Sequence, residues 1–149
     1  MTYAYYQSII GIIEVGFKEE VVYSIKIKEK QGISNATKFS DFVFSQISQY
    51  LVGERKEFSF RYQLIGTEFQ IKVWNALLTI PYGQTKSYQD IANAIDNPKA
   101  CRAVGNANHH NPILLVIPCH RCIQANGKIG GFGLGIDIKI KLLRLEKGQ

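Results

Sequence analysis

The apolar run Pro112-Ile113-Leu114-Leu115-Val116 leads into Ile117-Pro118, and Cys119, His120 and Arg121 stand at its exit. Such a run reads as a buried strand, and the proline, which has no N–H to give a ladder, marks where it stops. A glycine-rich loop comes next, with Gly127, Gly130, Gly131, Gly133 and Gly135. A chain ordered this way is expected to hold a thiol rigidly at the mouth of a pocket, with an imidazole beside it. The thiolate is the reactive form of cysteine, and a nearby base or cation raises its population at neutral pH.

At 149 residues the chain has room for one or two small domains, and a hydrophobic fraction of 46% supports a core. No stretch reaches the length of uncharged apolar sequence that spans a bilayer, so no membrane partner is expected. Met1-Thr2-Tyr3-Ala4-Tyr5 has neither a basic nor a long apolar leader character, so no secretory signal is expected. The three cysteines then do not read as a disulfide framework, and a reducing, cytoplasmic setting is expected. Positive and negative charges cancel over residues 1–58. Residues 59–149 carry eleven Lys and Arg against five Asp and Glu, so the whole net charge of +6 lies there. A basic half suits a polyanion such as nucleic acid, or is simply a solvated face.

Two domains are expected: an α/β scaffold over 1–58, a linker at 59–65, and a mainly helical domain over 66–149. In the first, Ile9–Phe17 and Val21–Ile27 read as strands joined by a Lys-Glu-Glu turn. Phe39, Val43, Ile47 and Leu51 make a helical stripe. Phe58–Tyr62 is a candidate further strand. Residues 1–57 hold no His and no Cys, and nothing there suggests chemistry.

The second half opens on Thr67-Glu68-Phe69-Gln70, a capping-box pattern, before a helix that shows Phe69, Val73 and Leu77 on one face. Ile80-Pro81-Tyr82-Gly83 stops that helix. A short helix follows with Tyr88, Ile91, Ala92 and Ile95 in register, then an Asp96-Asn97-Pro98 turn. A second short helix presents Ala100, Ala103, Val104 and Ala107, with Arg102, Asn106 and Asn108 off that stripe. The pair is a helix-turn-helix candidate. Its second helix is small on nearly every side, which suits close approach to a partner or close packing on a core. Ile138–Glu146 reads as a terminal helix.

Cys119-His120-Arg121-Cys122 is formally a C-x-x-C, a spacing shared by redox pairs and half zinc sites. A thioredoxin-like pair should open a helix, whereas Gln124-Ala125-Asn126-Gly127 reads as a turn. Cys101, His109 or His110 could complete a zinc site, but their spacing matches no standard finger. Cys101 and Cys122 read most simply as small buried hydrophobes, His109 and His110 as exposed loop residues, and Trp74 and Tyr82 as core. On its own, Glu146 reads as a surface glutamate. Arg121 reads as a structural residue bonding backbone between the two domains.

Taken together, the second half resembles the O6-alkylguanine-DNA alkyltransferases, the direct-reversal repair proteins also called methylguanine-DNA methyltransferases. The resemblance runs from Gly66 to Glu146. It is carried by Phe69-Gln70, Val73-Trp74, Ile80-Pro81-Tyr82-Gly83, Ser87-Tyr88, Asn97-Pro98-Lys99-Ala100, Arg102-Ala103-Val104-Gly105, Asn111-Pro112, Ile117-Pro118-Cys119-His120-Arg121 and Leu142-Leu143 before Glu146. It implies a ribonuclease-H-like α/β first domain and a second, mainly α domain with a winged-helix-like helix-turn-helix.

The resemblance also implies roles. Cys119 is the nucleophile that takes the alkyl group from O6-alkylguanine in DNA, with O4-alkylthymine as the alternative lesion. His120 is its base through a water, and Glu146 orients and balances His120. Asn111 braces the active-site turn, and Tyr88 crowds the 3′ phosphate and donates to guanine N3. The lesion is flipped out of duplex DNA, Arg102 fills the space it leaves, and the helix bearing Ala103, Gly105, Asn106 and Ala107 lies in the minor groove. Contacts to phosphates are sequence-independent.

Gly131, Phe132, Gly133 and Leu134 would wall the guanine pocket. They depart from the family's usual pattern there, since Phe132 lacks a hydroxyl and Leu134 adds bulk. Cys122 stands where valine is common. The zinc of some relatives needs N-terminal Cys and His ligands, which residues 1–100 lack, so no metal and no cofactor are expected. The expected form is a monomer acting once per molecule. Three competitors are a lesion-flagging relative without the cysteine, a helix-turn-helix regulator and a cysteine hydrolase. The first is disfavoured by Cys119 itself. The second is disfavoured by a helix with few long polar side chains for major-groove reading, and the third by its need for an oxyanion hole and turnover.

Overall fold

The computed structural model describes residues 1–130 and 135–149. Two compact units emerge: Met1–Ile65 with Pro112–Leu114, and Gly66–Asn111 with Leu115–Gln149.

The first unit is built on an antiparallel sheet ordered β1 (Thr2–Ser8), β2 (Gly11–Lys18) and β3 (Val21–Lys28). The strand expected at Ile9–Phe17 begins later, because Ile9 lies in the β1–β2 hairpin and is exposed. Strand β1 carries no clear apolar alternation: only Ala4 is fully buried, Tyr3 is exposed, and Tyr5 and Tyr6 sit part-way out. Pairing with β2, from Thr2↔Phe17 to Ser8↔Gly11, defines it instead. The Lys-Glu-Glu turn is present, with Glu19 and Glu20 both at positive φ, the backbone that suits a two-residue hairpin to the strand twist.

Helix α1 (Lys38–Leu51) starts at a Thr37–Ser40 capping box and buries Val43, Ile47 and Leu51 of its stripe. The Phe58–Tyr62 strand does not form. Only an isolated bridge, Val22↔Tyr62, pairs with β3, and Phe58 and Phe60 turn to aromatic packing at 5.5 Å instead.

The second unit follows the expected helix order. Helix α2 (Glu68–Leu77) has the Thr67–Gln70 capping box and buries Val73, Trp74 and Leu77. Gly83 sits at φ +81°, and a Cβ there would meet the Glu146 carbonyl oxygen at 3.2 Å, so this turn requires glycine. A short parallel pair, β4 (Lys86–Ser87) with β5 (Cys122–Ile123), was not evident from sequence, being two residues long on each side. Ser87 then caps α3 (Tyr88–Ala94). Helix α4 (Cys101–His109) and helix α5 (Ile136–Glu146) complete the unit. The indole N–H of buried Trp74 donates to the Ala107 carbonyl at 2.9 Å and pins α4 to α2. Trp74 is core as expected, whereas Tyr82 is only partly buried.

Pro112–Val116 is not the strand expected. Ile113 makes a single bridge to Ile25, and Leu115 sits at φ +73°, which turns the chain. Burial nevertheless alternates along it, with Ile113, Leu115 and Ile117 buried and Leu114 and Val116 only partly so. Periodicity alone does not separate such a segment from a strand.

Candidate active site

Cys119 opens a single 3-10 turn, Cys119–Arg121, reached through Pro118. Its side chain is buried and placed beside Asn111. Asn111 Nδ2 donates to the Ile117 carbonyl at 2.8 Å and to Cys119 Sγ at 3.2 Å, so one amide braces the turn and touches the sulfur. Burial pushes the Cys119 thiol up. The Asn111 hydrogen bond, the charge of Lys139 and the backbone amides of Cys119 and His120 all act the other way. At rest the group is a thiol in a setting already prepared for negative charge.

His120 is 1% exposed, and its Nε2 donates to Glu146 Oε2 at 2.7 Å. A carboxylate can only accept, so this bond places the imidazole proton on Nε2 and leaves Nδ1 with a lone pair. Burial holds the histidine below its ordinary pKa, against the raising effect of Glu146. The ring is therefore neutral at physiological pH, the state a base needs.

Glu146 is not the surface residue its position near a helix end suggests. It is buried, and Arg121 grips it bidentately, Nε to Oε1 at 2.7 Å and Nη2 to Oε2 at 2.9 Å. The Gly83 N–H adds a longer bond at 3.3 Å. Arg121 Nη1 donates to the Ile80 carbonyl at 2.8 Å. Arg121 thus works inside the second unit, not between domains as its sequence position suggested, and it supplies the buried counter-charge that a buried glutamate requires. Its guanidinium also lies 5.7 Å from the Tyr82 ring centroid.

Helix α5 explains the arrangement. Lys139, Leu142, Leu143 and Glu146 are its buried residues, spaced i, i+3, i+4, i+7. Two of the four are charged. Lys139, which sequence reasoning passed over, is 1% exposed and donates to the Cys122 carbonyl at 2.6 Å. Its place on the apolar stripe was the available signal.

Tyr88 begins α3 and is tied to the site by the β4–β5 pair just before it. Desolvation first, then the Cys122 and Cys119 thiols, push its hydroxyl up to about 12, so it stays a proton donor. Lys139 Nζ lies 5.8 Å from its ring centroid. A Cβ on Gly130, at φ +78°, would meet Tyr88 Oη at 3.1 Å.

On α4, Arg102, Ala103 and Asn106 are exposed and Gly105 is partly so. Ala103 therefore does not belong to the buried stripe, which is Ala100, Val104 and Ala107. Ala107, expected on the DNA-facing side, is 1% exposed beneath the Trp74 indole. Its small size serves helix packing, and a buried methyl cannot lie in a groove. Cys122 is buried as expected. Cys101 is partly exposed and donates to Gln89 Oε1 at 3.1 Å. His109 and His110 are exposed; His109 is the last residue of α4, and His110 lies in the turn after it. The pocket residues Gly131, Phe132, Gly133 and Leu134 lie outside the described residues.

Among the described residues, no three His, Cys, Asp or Glu side chains gather as metal ligands would, and no helix is long and apolar enough to cross a membrane.

A family model described as 6-O-methylguanine DNA methyltransferase, DNA binding domain, matches residues 68–148. The methylated-DNA--protein-cysteine methyltransferase of Methanosarcina acetivorans is 46% identical, over 98% of this chain and 98% of its own length. That of Mycobacterium bovis is 55% identical, over 70% of this chain and 63% of its own length. Among solved structures, Mycobacterium tuberculosis OGT in complex with DNA superimposes with a TM-score of 0.90 at 43% identity. That match covers 99% of this chain and 94% of the other.

Proposed function

This chain belongs to the 6-O-methylguanine DNA methyltransferase family, and on that premise we propose that Cys119 is the residue that accepts the alkyl group from O6-alkylguanine in DNA. The activity is DNA repair by methyl transfer from DNA to a protein cysteine. The observations that carry the residue assignment are the buried Asn111–Cys119 contact and the buried His120–Glu146–Arg121 chain.

In this reading the neutral His120 takes the Cys119 proton through a water by way of Nδ1. Glu146 and Arg121 hold the ring and balance the imidazolium that forms. The sulfur attacks the alkyl carbon in line, and the C–O6 bond breaks. The electron pair leaves with guanine, which Tyr88 helps to neutralise by donating at N3. A thioether forms that no water cleaves, so each molecule reacts once.

The damaged base reaches the site by flipping, with Arg102 in the vacated space and the exposed side of α4 in the minor groove. The basic second half supports phosphate contacts without sequence preference. The three-stranded sheet followed by α1 supports a ribonuclease-H-like first domain over 1–58. The α3–α4 pair supports a winged-helix-like helix-turn-helix in a domain over 66–149. The protein acts as a cytoplasmic monomer without metal or cofactor.

Peptide mass analysis after incubation with a duplex containing O6-methylguanine tests the assignment. Trypsin places the cysteines on separate peptides, Ala100–Arg102, Ala103–Arg121 and Cys122–Lys128. One methyl on Ala103–Arg121, never more than one per chain and lost in Cys119→Ser, is the expected result. A methyl on either other peptide overturns it.

A further inference from the structure

Cys119 and Cys122 occupy the two ends of one 3-10 turn, and the Cys122 N–H donates to the Cys119 carbonyl. In such a turn residues three apart eclipse, and three steps rise about 6 Å. Disulfides bridge Cα atoms about 4.4–6.8 Å apart, so the backbone of the turn sets the two cysteines at a Cα spacing that a disulfide accepts.

Both side chains are buried. Burial pushes both thiols up, Cys122 to about 11, and the Lys139 ammonium, bound to the Cys122 carbonyl, acts the other way on each. Asn108 adds to this at Cys122. Its amide is buried and acts on the Cys122 thiol in the same direction. Alkyl transfer to Cys119 makes no use of a second thiol.

We propose that Cys122 is a resolving cysteine: when a hydroperoxide oxidises Cys119, Cys122 closes a Cys119–Cys122 disulfide that stops alkyl transfer reversibly. The Cys119 thiolate attacks the peroxide, the O–O bond breaks, and water or an alcohol leaves, giving a sulfenic acid. The Cys122 thiol then attacks that sulfur, the S–O bond breaks, and a second water leaves. The two electrons lost by the two thiols reduce the one peroxide. A dithiol returns both electrons and restores the nucleophile. Without the second thiol, oxidation runs on to sulfinic and sulfonic acids, which thiols do not reverse.

The inference rests on Cys119 being the nucleophile, so transfer by untreated protein is measured alongside and read separately. Protein is treated with hydrogen peroxide, blocked with an alkylating reagent, denatured and digested without reductant. The expected product is peptide Ala103–Arg121 joined to Cys122–Lys128 and lighter by two hydrogens, with transfer lost and then recovered in dithiothreitol. Cys122→Val, close in volume, is expected to transfer normally before treatment. After treatment its recovery falls on the order of tenfold, because its Cys119 is over-oxidised.

Over-oxidised Cys119 without the cross-link in the parent protein overturns the proposal, as does a cross-link to Ala100–Arg102 or equal recovery in the variant. Peptide mapping of the parent decides the matter even where the variant folds poorly. A cross-link in a protein that never transfers methyl would support the thiol pair while rejecting Cys119 as alkyl acceptor.

Discussion

Arg121 shows how one side chain sets the conditions for its neighbours. Three of its nitrogens are used within the second unit, two on Glu146 and one on the Ile80 carbonyl. Replacing it with methionine keeps the volume but leaves the Glu146 charge buried beside His120. Breaking a buried pair from one side costs about 3–5 kcal/mol, and chemical denaturation of Arg121→Met is expected to show a loss of that size. His120 gives a prediction with a sign. Its folded pKa lies below the ordinary histidine value, because burial outweighs Glu146. The unfolded chain therefore binds the proton first as pH falls below about 6.5, and stability drops with acid, by at most about 1.4 kcal/mol per pH unit. Urea melts between about pH 5 and 7 should show this slope, and His120→Gln should flatten it. The sequence pointed to Cys119 and His120 through local order and to Asn111 through the family resemblance. Sequence reasoning missed the burial of Arg121 and Lys139, because nothing local tells which charged residue faces inward.

At the level of elements, the capping boxes were legible at Thr67–Gln70, since a cap is written within four residues. Helices α2, α3 and α4 followed from their apolar spacing. Strand β1 and the β4–β5 pair did not, because their definition lies in a partner strand distant in sequence. The same limit produced the two strands that do not form, at Phe58–Tyr62 and Pro112–Val116. Helix α4 divides its small residues between two uses. Ala107 packs under Trp74, while a methyl added at Gly105 would have only Tyr88 Cε1 nearby, at 3.9 Å. Gly105→Ala therefore fits, and should stabilise the helix by about 0.5–1 kcal/mol. If the exposed side of α4 meets DNA, the added methyl also weakens duplex binding. A raised Tm with reduced affinity in a titration is the expected pair of results, and unchanged affinity would remove Gly105 from the interface.

For the molecule as a whole, every placed site residue belongs to the second unit, so the consequences of reaction are felt there first. Cys119 is 4% exposed, and Asn111 bonds its sulfur and the Ile117 carbonyl at once. A methyl on that sulfur overfills a packed site, which costs about 1–3 kcal/mol. Methylated protein is expected to melt at lower temperature and to be digested faster than unreacted protein; equal rates would show that the turn absorbs the group. The chain's order of residues by itself determined which cysteine and histidine stand together after the apolar run and where the helices around them lie, because each is written in contiguous sequence or at helical spacing. Only the tertiary structure decided that Glu146, Arg121 and Lys139 are buried together around that cysteine, and that Ala107 faces inward. Those outcomes depend on which surfaces lose water when distant elements pack, and the energy of a charge is set by that packing, not by its place in the chain.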